Sequence, residues 1–434
     1  METFFKLKER GTSISKEVVA GITTFLAMSY ILAVNPGILS ESGMPWNAVF
    51  TATAISSAIA TLVMAFFANL PVALAPGLGL NAFFTYTVVL GMGCSWQFAL
   101  TAVLMEGILF VILSLAGIRE AIIKSIPSTL KKAVAVGIGL FITLIGLANA
   151  GIVGNDTGTL IGFENLNFGH ASALVAVFGL VITIILYIRK VPGAILVGIA
   201  LTTIIGIPFG ITSIPENWGP FSVPSAPSLF QFDFSQLFTL KFFIVFFTFL
   251  FTDMFDTIGT LMGVAEQANL KDKDGNIFNA KQALLADAVG TVAGACLGTS
   301  TVTSFVESTS GVAAGGRTGL SSVVTAVFFL LALFLTPLFS LIPAAATAPA
   351  LIFVGYLMMK SIVSIKFDDP TDGIPSFITI MVMPFAYSIS KGISWGVISY
   401  VICKVVGKKA KDIPVVTWIL AVIFIANIIF EAVK

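Results

Sequence analysis

From residue 18 to residue 432 the chain is a succession of apolar stretches separated by short polar turns, and this pattern limits what it can fold into. A helical crossing of the hydrocarbon layer takes about 20 apolar residues, so 434 residues hold about fourteen crossings and almost nothing of a soluble domain. Charge agrees: 10% of the residues are Asp, Glu, Lys or Arg, against about 25% in soluble domains. So few charges could not cover a water-facing surface, and the chain reads as an all-α, polytopic membrane protein. Its 23 basic and 22 acidic side chains, net +1, leave no nucleic-acid footprint. Cys94, Cys296 and Cys403 have neither metal-ligand spacing nor a disulfide framework and read as packing residues. The opening METFFKLKERGTSISKE lacks an apolar core of signal-peptide length, so the first crossing is expected to be retained.

Apolar segments fall near 18–34, 48–68, 80–92, 96–117, 128–148, 172–188, 192–211, 237–264, 284–297, 303–314, 319–341, 344–363, 374–389, 392–407 and 413–432. Those at 80–92, 284–297 and 303–314 are too short to span as regular helices. Lys and Arg sort by side. Lys6, Lys8, Arg10 and Lys16 precede the first crossing; Arg119, Lys124, Lys131 and Lys132 follow the fourth; Arg189 and Lys190 follow the sixth; Lys271, Lys273 and Lys281 follow the eighth. Loops 149–171 and 212–236 carry none. The N-terminus is therefore expected in the cytoplasm. Lys404, Lys408, Lys409 and Lys411 place the end near residue 407 on the same side. Residues 415–430 are then an extra helix that either crosses again or lies along the bilayer or the protein surface.

The halves echo each other. ANLPVALAPGLGLNAFF (68–84) and GTSTVTSFVESTSGVAAGG (298–316) are Gly/Pro/Ser/Thr-rich breaks. Each is followed by an apolar helix and then by an Ile-Pro pair, Ile126-Pro127 and Ile342-Pro343, opening the next one. An odd number of crossings separates the halves, so the second is inverted relative to the first, as in alternating-access carriers.

Ionisable residues inside spans are functional-site candidates by default, and here they are few: Glu106, Asp253, Asp256, Asp287 and Glu307. In FTDMFDTIGT (251–260) Asp253 and Asp256 occupy neighbouring positions on one helical face. Two carboxylates so placed in a low dielectric cannot both ionise cheaply, which suits proton coupling. Either one could instead cap a broken helix or bond Thr257 or Thr260. Glu307 lies in a break whose irregular backbone is tolerated at membrane depth only around a protein-lined cavity. A half-helix starting there aims its positive end inward, and Glu307, with Ser308 beside it, is placed to meet a polar ligand. In the first-half break, Asn81 offers an amide next to Phe83, Phe84 and Tyr86, a combination suited to a flat heterocycle. Phe83 and Phe305 are the candidates for stacking on its face. Asp287 precedes a small-residue run, AVGTVAGACLG, and reads with Thr260 as structural support. Glu106 is expected to pair with a polar neighbour, Arg317 to snorkel at a half-helix end, and His170, the single histidine, to sit in an external loop without a metal or relay role.

FTDMFDTIGT, the block DAVGTVAGACLGTSTVTSFVESTSGVAAGGRTGL, APGLGLNAFF and GITTFLAMSYILAVNP together resemble the azaguanine-type purine permeases. These belong to the nucleobase:cation symporter family, with uracil and xanthine permeases as relatives. The resemblance covers nearly the whole chain. It implies two inverted repeats, forming a core domain (1–118 and 237–341) and a gate domain (119–236 and 342–434, with the C-terminal helix). It also implies proton-coupled uptake of adenine, guanine or hypoxanthine as the core moves against the gate, with no cofactor and often as a homodimer in the cell membrane. Residue by residue, the family's substrate-facing acid matches Glu307, its acidic position on the eighth segment matches Asp253 or Asp256, and its polar position on the third matches Asn81. Thr260 stands where uracil permeases carry a histidine, so a histidine-centred proton route does not transfer. The rivals are a uracil/xanthine-type carrier, a small-anion facilitator, which calls for a basic pore, and a membrane-embedded enzyme, which calls for a nucleophile–base pair or metal ligands in the spans.

Overall fold

The computed structural model describes residues 2–116, 127–154, 162–163, 171–216, 218–268, 270 and 277–433. Expectations for Arg119, Lys124, Ile126, His170, Lys271 and Lys273 fall outside the described residues. In hydrocarbon a backbone N–H or C=O finds no water, so apolar runs close their hydrogen bonds within helices. The first half runs α1 (Ile14–Met28), α2 (Ile31–Ser40), α3 (Trp46–Val63), strand β1 (Leu74–Pro76) and α4 (Leu78–Ala82, continued by π-helical Phe83–Gly91). It goes on through α5 (Trp96–Leu115), α6 (Ser128–Asn149), a minimal hairpin of β2 (Val153–Gly154) and β3 (Gly162–Phe163), α7 (Ala171–Ile188) and α8 (Ala194–Gly206). The second half follows with α9 (Leu240–Gln267), α10 (Ala280–Leu297), β4 (Val302–Ser304), α11 (Ser308–Ala313), α12 (Gly319–Ala332), α13 (Thr336–Ser340), α14 (Ala344–Met359), α15 (Pro370–Phe385) and α16 (Ile389–Val406). The extra helix is α17 (Val415–Val433). Among the described residues, eight helices are long and apolar enough to span a bilayer. The fold is a multi-pass membrane protein of two inverted repeats.

The first crossing, Ile14–Ser40, runs through a local irregularity: α1 ends at Met28, Ser29 N–H still bonds Phe25 O at 2.7 Å, and α2 resumes at Ile31. Two expectations need correction. Segment 284–297 is the end of a longer helix, because Ala280, Lys281, Gln282 and Ala283, all compatible with helix, extend α10 back to Ala280. Arg317 does not snorkel. Its guanidinium donates to Val312 O at 2.6 Å and Gly316 O at 2.7 Å, neutralising carbonyls at the C-terminal end of α11.

Helices associate in two sets. In one, α1 packs on α12, α3 on α10 and α12, and α5 on α10. In the other, α6 packs on α14 and α15, α15 on α16, and α7 on α8 and α14. Buried carboxylate and amide groups replace water at helix ends in the first set. Glu17 on α1, fully buried, accepts from Arg317 N at 2.8 Å and Ser321 N at 3.1 Å, and Asn69 Oδ1 accepts from Gly319 N at 2.8 Å, so the first turn of α12 is satisfied. In the second set, Pro127 and Pro343 open α6 and α14, and the two helices touch through glycine. A Cβ on Gly355 would fall 2.5 Å from the carbonyl oxygen of Gly139 and onto the Thr143 hydroxyl. Gly355→Ala is therefore expected to cost about 1–3 kcal/mol by overpacking, read as a lower thermal midpoint in detergent. A change at the lipid-facing Phe385, 71% exposed, should leave the midpoint in place.

Candidate functional site

The two breaks meet. β1 and β4 pair antiparallel, Leu74 opposite Ser304, Ala75 opposite Thr303 and Pro76 opposite Val302. Gly77 N to Thr301 O and Phe305 N to Ala73 O, both 3.0 Å, extend the ladder at its ends. The outer edges are closed by hydroxyls: Thr61 of α3 exchanges bonds with Leu74 N and O, and Thr291 of α10 donates to Val302 O at 3.0 Å. Ala73 N donates to Ser308 Oγ at 3.0 Å. Two strands at the membrane midplane thus find partners for backbone groups that lipid could not satisfy. The pairing starts both half-helices, α4 and α11, from one point.

Beside the strands lies a polar cluster. Thr257 Oγ1 contacts Asp287 Oδ1 at 2.7 Å, Thr303 Oγ1 at 2.7 Å and Asp253 Oδ1 at 3.3 Å. Thr301 donates to Glu106 Oε2 at 2.8 Å, and Ser300 donates to Asn81 Oδ1. Asn35 of α2 donates to Thr53 at 2.6 Å and Thr299 at 2.9 Å, tying the first crossing to the second break. Asp253, Asp287, Asn81 and Glu106 are all fully buried.

A cavity of about 230 Å3 opens between the two helix sets. One wall is Thr252, Asp256 and Thr260 of α9 with Val306 and Glu307 from the turn between β4 and α11. The other is Val134, Ala135 and Ile138 of α6 with Val354, Leu357, Met358 and Ser361 on and just beyond α14. Residues 252, 256 and 260 recur every fourth position and so share one helix face. Asp256 and Glu307 are half-buried at this cavity, and Asp256 lies within electrostatic reach of both Glu307 and Asp287. Glu307 Oε1 accepts from the Tyr30 hydroxyl at 2.6 Å.

Of the residues expected at a ligand, Glu307 and Asp256 line the cavity and Asp253 does not: three positions earlier, it turns toward Thr257. Thr260, expected as support, lies in the cavity wall, whereas Asp287 is in the polar cluster behind it. Asn81, Phe83, Phe305 and Ser308 do not line the cavity either. Asn81 is engaged by Ser300, Ser308 by the Ala73 N–H, and Phe83 packs edge-on against Phe249 with ring centroids 4.8 Å apart. Phe305 is buried in the core. Sequence reading missed Tyr30, Thr252 and the α6 and α14 wall. For Tyr30 the signal was a tyrosine inside an apolar span; for the wall there was none, since its residues are ordinary apolar types.

At the other end of α4 the two sets touch again. Tyr86 OH donates to Glu41 Oε1 at 2.9 Å, and Asn149 Nδ2, at the end of α6, reaches Tyr86 OH at 3.0 Å and Glu41 Oε1 at 3.2 Å. Tyr387, between α15 and α16, stands edge-on to Tyr86 with centroids 6.2 Å apart. Burial pushes the Glu41 carboxyl up from its ordinary value, against the lowering effect of its bonds to Tyr86 and Asn149.

A model of the Permease family (Xan_ur_permease) matches residues 15–395. The chain is 46% identical over 442 residues to the guanine/hypoxanthine permease PbuG of Bacillus subtilis (strain 168), covering 99% of this chain and 100% of that one. It is 42% identical over 431 residues to the adenine permease AdeP of Escherichia coli (strain K12), covering 99% and 96%. Among solved structures, the transmembrane domain of the cyanobacterium bicarbonate transporter BicA superposes with a TM-score of 0.63 at 19% identity, covering 87% of this chain and 96% of that one, a likeness of fold.

Thr257 is the hub of the polar cluster. Thr257→Val keeps its shape but removes the hydroxyl that bonds Asp287 and Thr303, at an expected cost of about 1–3 kcal/mol. Thermal unfolding should show the loss, and Thr257→Ser should recover most of it.

Proposed function

The chain belongs to the Permease family, and from that premise we propose that it carries purine nucleobases (guanine, hypoxanthine or adenine) across the cell membrane by proton symport. The observation that carries the reading is the division of the cavity walls: two carboxylates and two threonine hydroxyls on one side, almost wholly apolar side chains on the other. A purine has this division itself, with polar atoms on its rim and apolar faces. The space is below the roughly 300 Å3 and more of drug-sized sites, which suits a small flat molecule. The substrates after which PbuG and AdeP are named support the same class.

In this reading Asp256 and Glu307 accept hydrogen bonds from the base and share the coupling proton. Like charges within reach of each other in a low dielectric favour holding one. The buried Asp253, Asp287 and Thr257 brace α9 against β4, and Asn81 and Ser308 hold the paired breaks together. Transport proceeds as a core (1–118 and 237–341) moves against a gate (119–236 and 342–434), carrying the carboxylates past the apolar wall. The Glu41–Tyr86–Asn149 contact is then a seal between core and gate, formed while the cavity faces the end of the molecule where α6 begins. The N-terminus is cytoplasmic in this scheme, in keeping with the sorting of Lys and Arg, and the carrier pairs as a homodimer. An anion facilitator built on the shared fold is disfavoured because, among the described residues, those lining the cavity include two acids and no base.

Uptake of radiolabelled hypoxanthine, guanine and adenine into cells lacking their own carriers tests the proposal. Uptake above the vector control that collapses with an uncoupler is expected, and Glu307→Gln or Asp256→Asn at normal membrane levels should lower it at least about tenfold, as loss of a charged hydrogen-bond partner would. Uptake equal to the control rejects the substrate class, and indifference to the uncoupler rejects proton coupling. For the moving core, a disulfide between Glu41→Cys and Asn149→Cys, with the native cysteines replaced, should block uptake until it is reduced. Full uptake in the oxidised protein would reject the seal.

A further inference from the structure

The carboxylate of Glu307 is held by a residue from the other half of the chain. Glu307 sits on the turn between β4 and α11, next to Val306, which is 46% exposed. α11 has six residues, and the Glu307 backbone N–H itself reaches the carboxyl. Tyr30 adds a long-range constraint. It lies where α1 gives way to α2, is 1% exposed, and donates its hydroxyl proton to Glu307 Oε1 at 2.6 Å. A hydrogen bond this short to a carboxylate is at the strong end of the range. A phenol has a single proton to donate, whereas a carboxylate has lone pairs for several donors, so the bond to Tyr30 fixes the carboxylate and leaves it acceptor capacity at the cavity that Glu307 lines.

We propose that Tyr30 is a positioning residue for base binding: it orients Glu307 so that the carboxylate meets an N–H on the rim of the purine. The inference rests on the purine reading above. Tyr30 does not line the cavity itself, and its effect on the ligand passes through Glu307.

The test uses purified full-length protein, equilibrium binding of labelled hypoxanthine, guanine and adenine, and infrared difference spectra in which the Glu307 carboxyl band is identified by its absence in Glu307→Gln. Tyr30→Phe keeps the ring and removes the donor. It is expected to weaken binding of the preferred base about 5- to 30-fold, to shift the Glu307 band, and to leave the thermal midpoint within a few degrees. A band that does not move, binding within twofold of wild type, or a midpoint drop large enough to account for the lost binding each overturns the proposal while leaving the purine reading intact. Wild-type protein that binds none of the three bases overturns the purine reading, and this role for Tyr30 with it.

Discussion

Backbone hydrogen bonding in a medium without water is the constraint on which this structure depends. Two crossings, one in each half, are broken by proline, glycine and hydroxyl residues, and each break exposes N–H and C=O groups that hydrocarbon cannot satisfy. Neither break can satisfy its groups alone, and each supplies what the other lacks. The Leu74–Pro76 and Val302–Ser304 strands pair, and Thr61 and Thr291 close their edges from α3 and α10, helices at matching places in the two repeats. A pairing this short is not stable by itself. It is held by the helices around it, whose own ends are satisfied by groups from distant sequence, as Glu17 and Asn69 do for α12.

The polar residues follow from that pairing. Once the strands meet at the midplane, the hydroxyls of Ser300, Thr301 and Thr303 are carried into the interior, where each needs a partner. Asn81, Glu106 and Thr257 provide them. Most of the buried carboxylates therefore serve the break, and those left at the cavity are Asp256 and Glu307. The facing wall of α6 and α14 has no such obligation. Its glycines let the two helices approach closely, and its side chains toward the cavity are almost all apolar. A polar wall on one side of the cavity thus faces an almost wholly apolar wall on the other.

The sequence made the membrane class, the two breaks, the inverted repeat and the rarity of intramembrane acids, Asp256 and Glu307 among them, legible. Scarcity of charge made the few intramembrane acids conspicuous, and glycine and proline marked where regular helix stops. It was less informative about direction. Asp253 and Asp256 lie about 60° apart around a helix, a difference that a face-level argument does not resolve, and only one reaches the cavity. Asn81 and Ser308 carried the right chemistry for a ligand, yet the Asn81 Oδ1 and the Ser308 hydroxyl bond the opposite break. Phe83 and Phe305 stood beside polar residues in sequence yet pack into the core, as most aromatic side chains do.

What the sequence determined by itself is everything that depends on local composition against a lipid solvent: how many stretches can cross, where they break, and which charges are too costly to be incidental. The tertiary structure decided which of those groups share a space. Tyr30 and Glu307 are 277 positions apart, and Gly77 approaches Asp256 only because β1 lies against β4. A side chain's chemistry is fixed by its type, but whether it meets a ligand depends on the neighbours that long-range pairing brings to it.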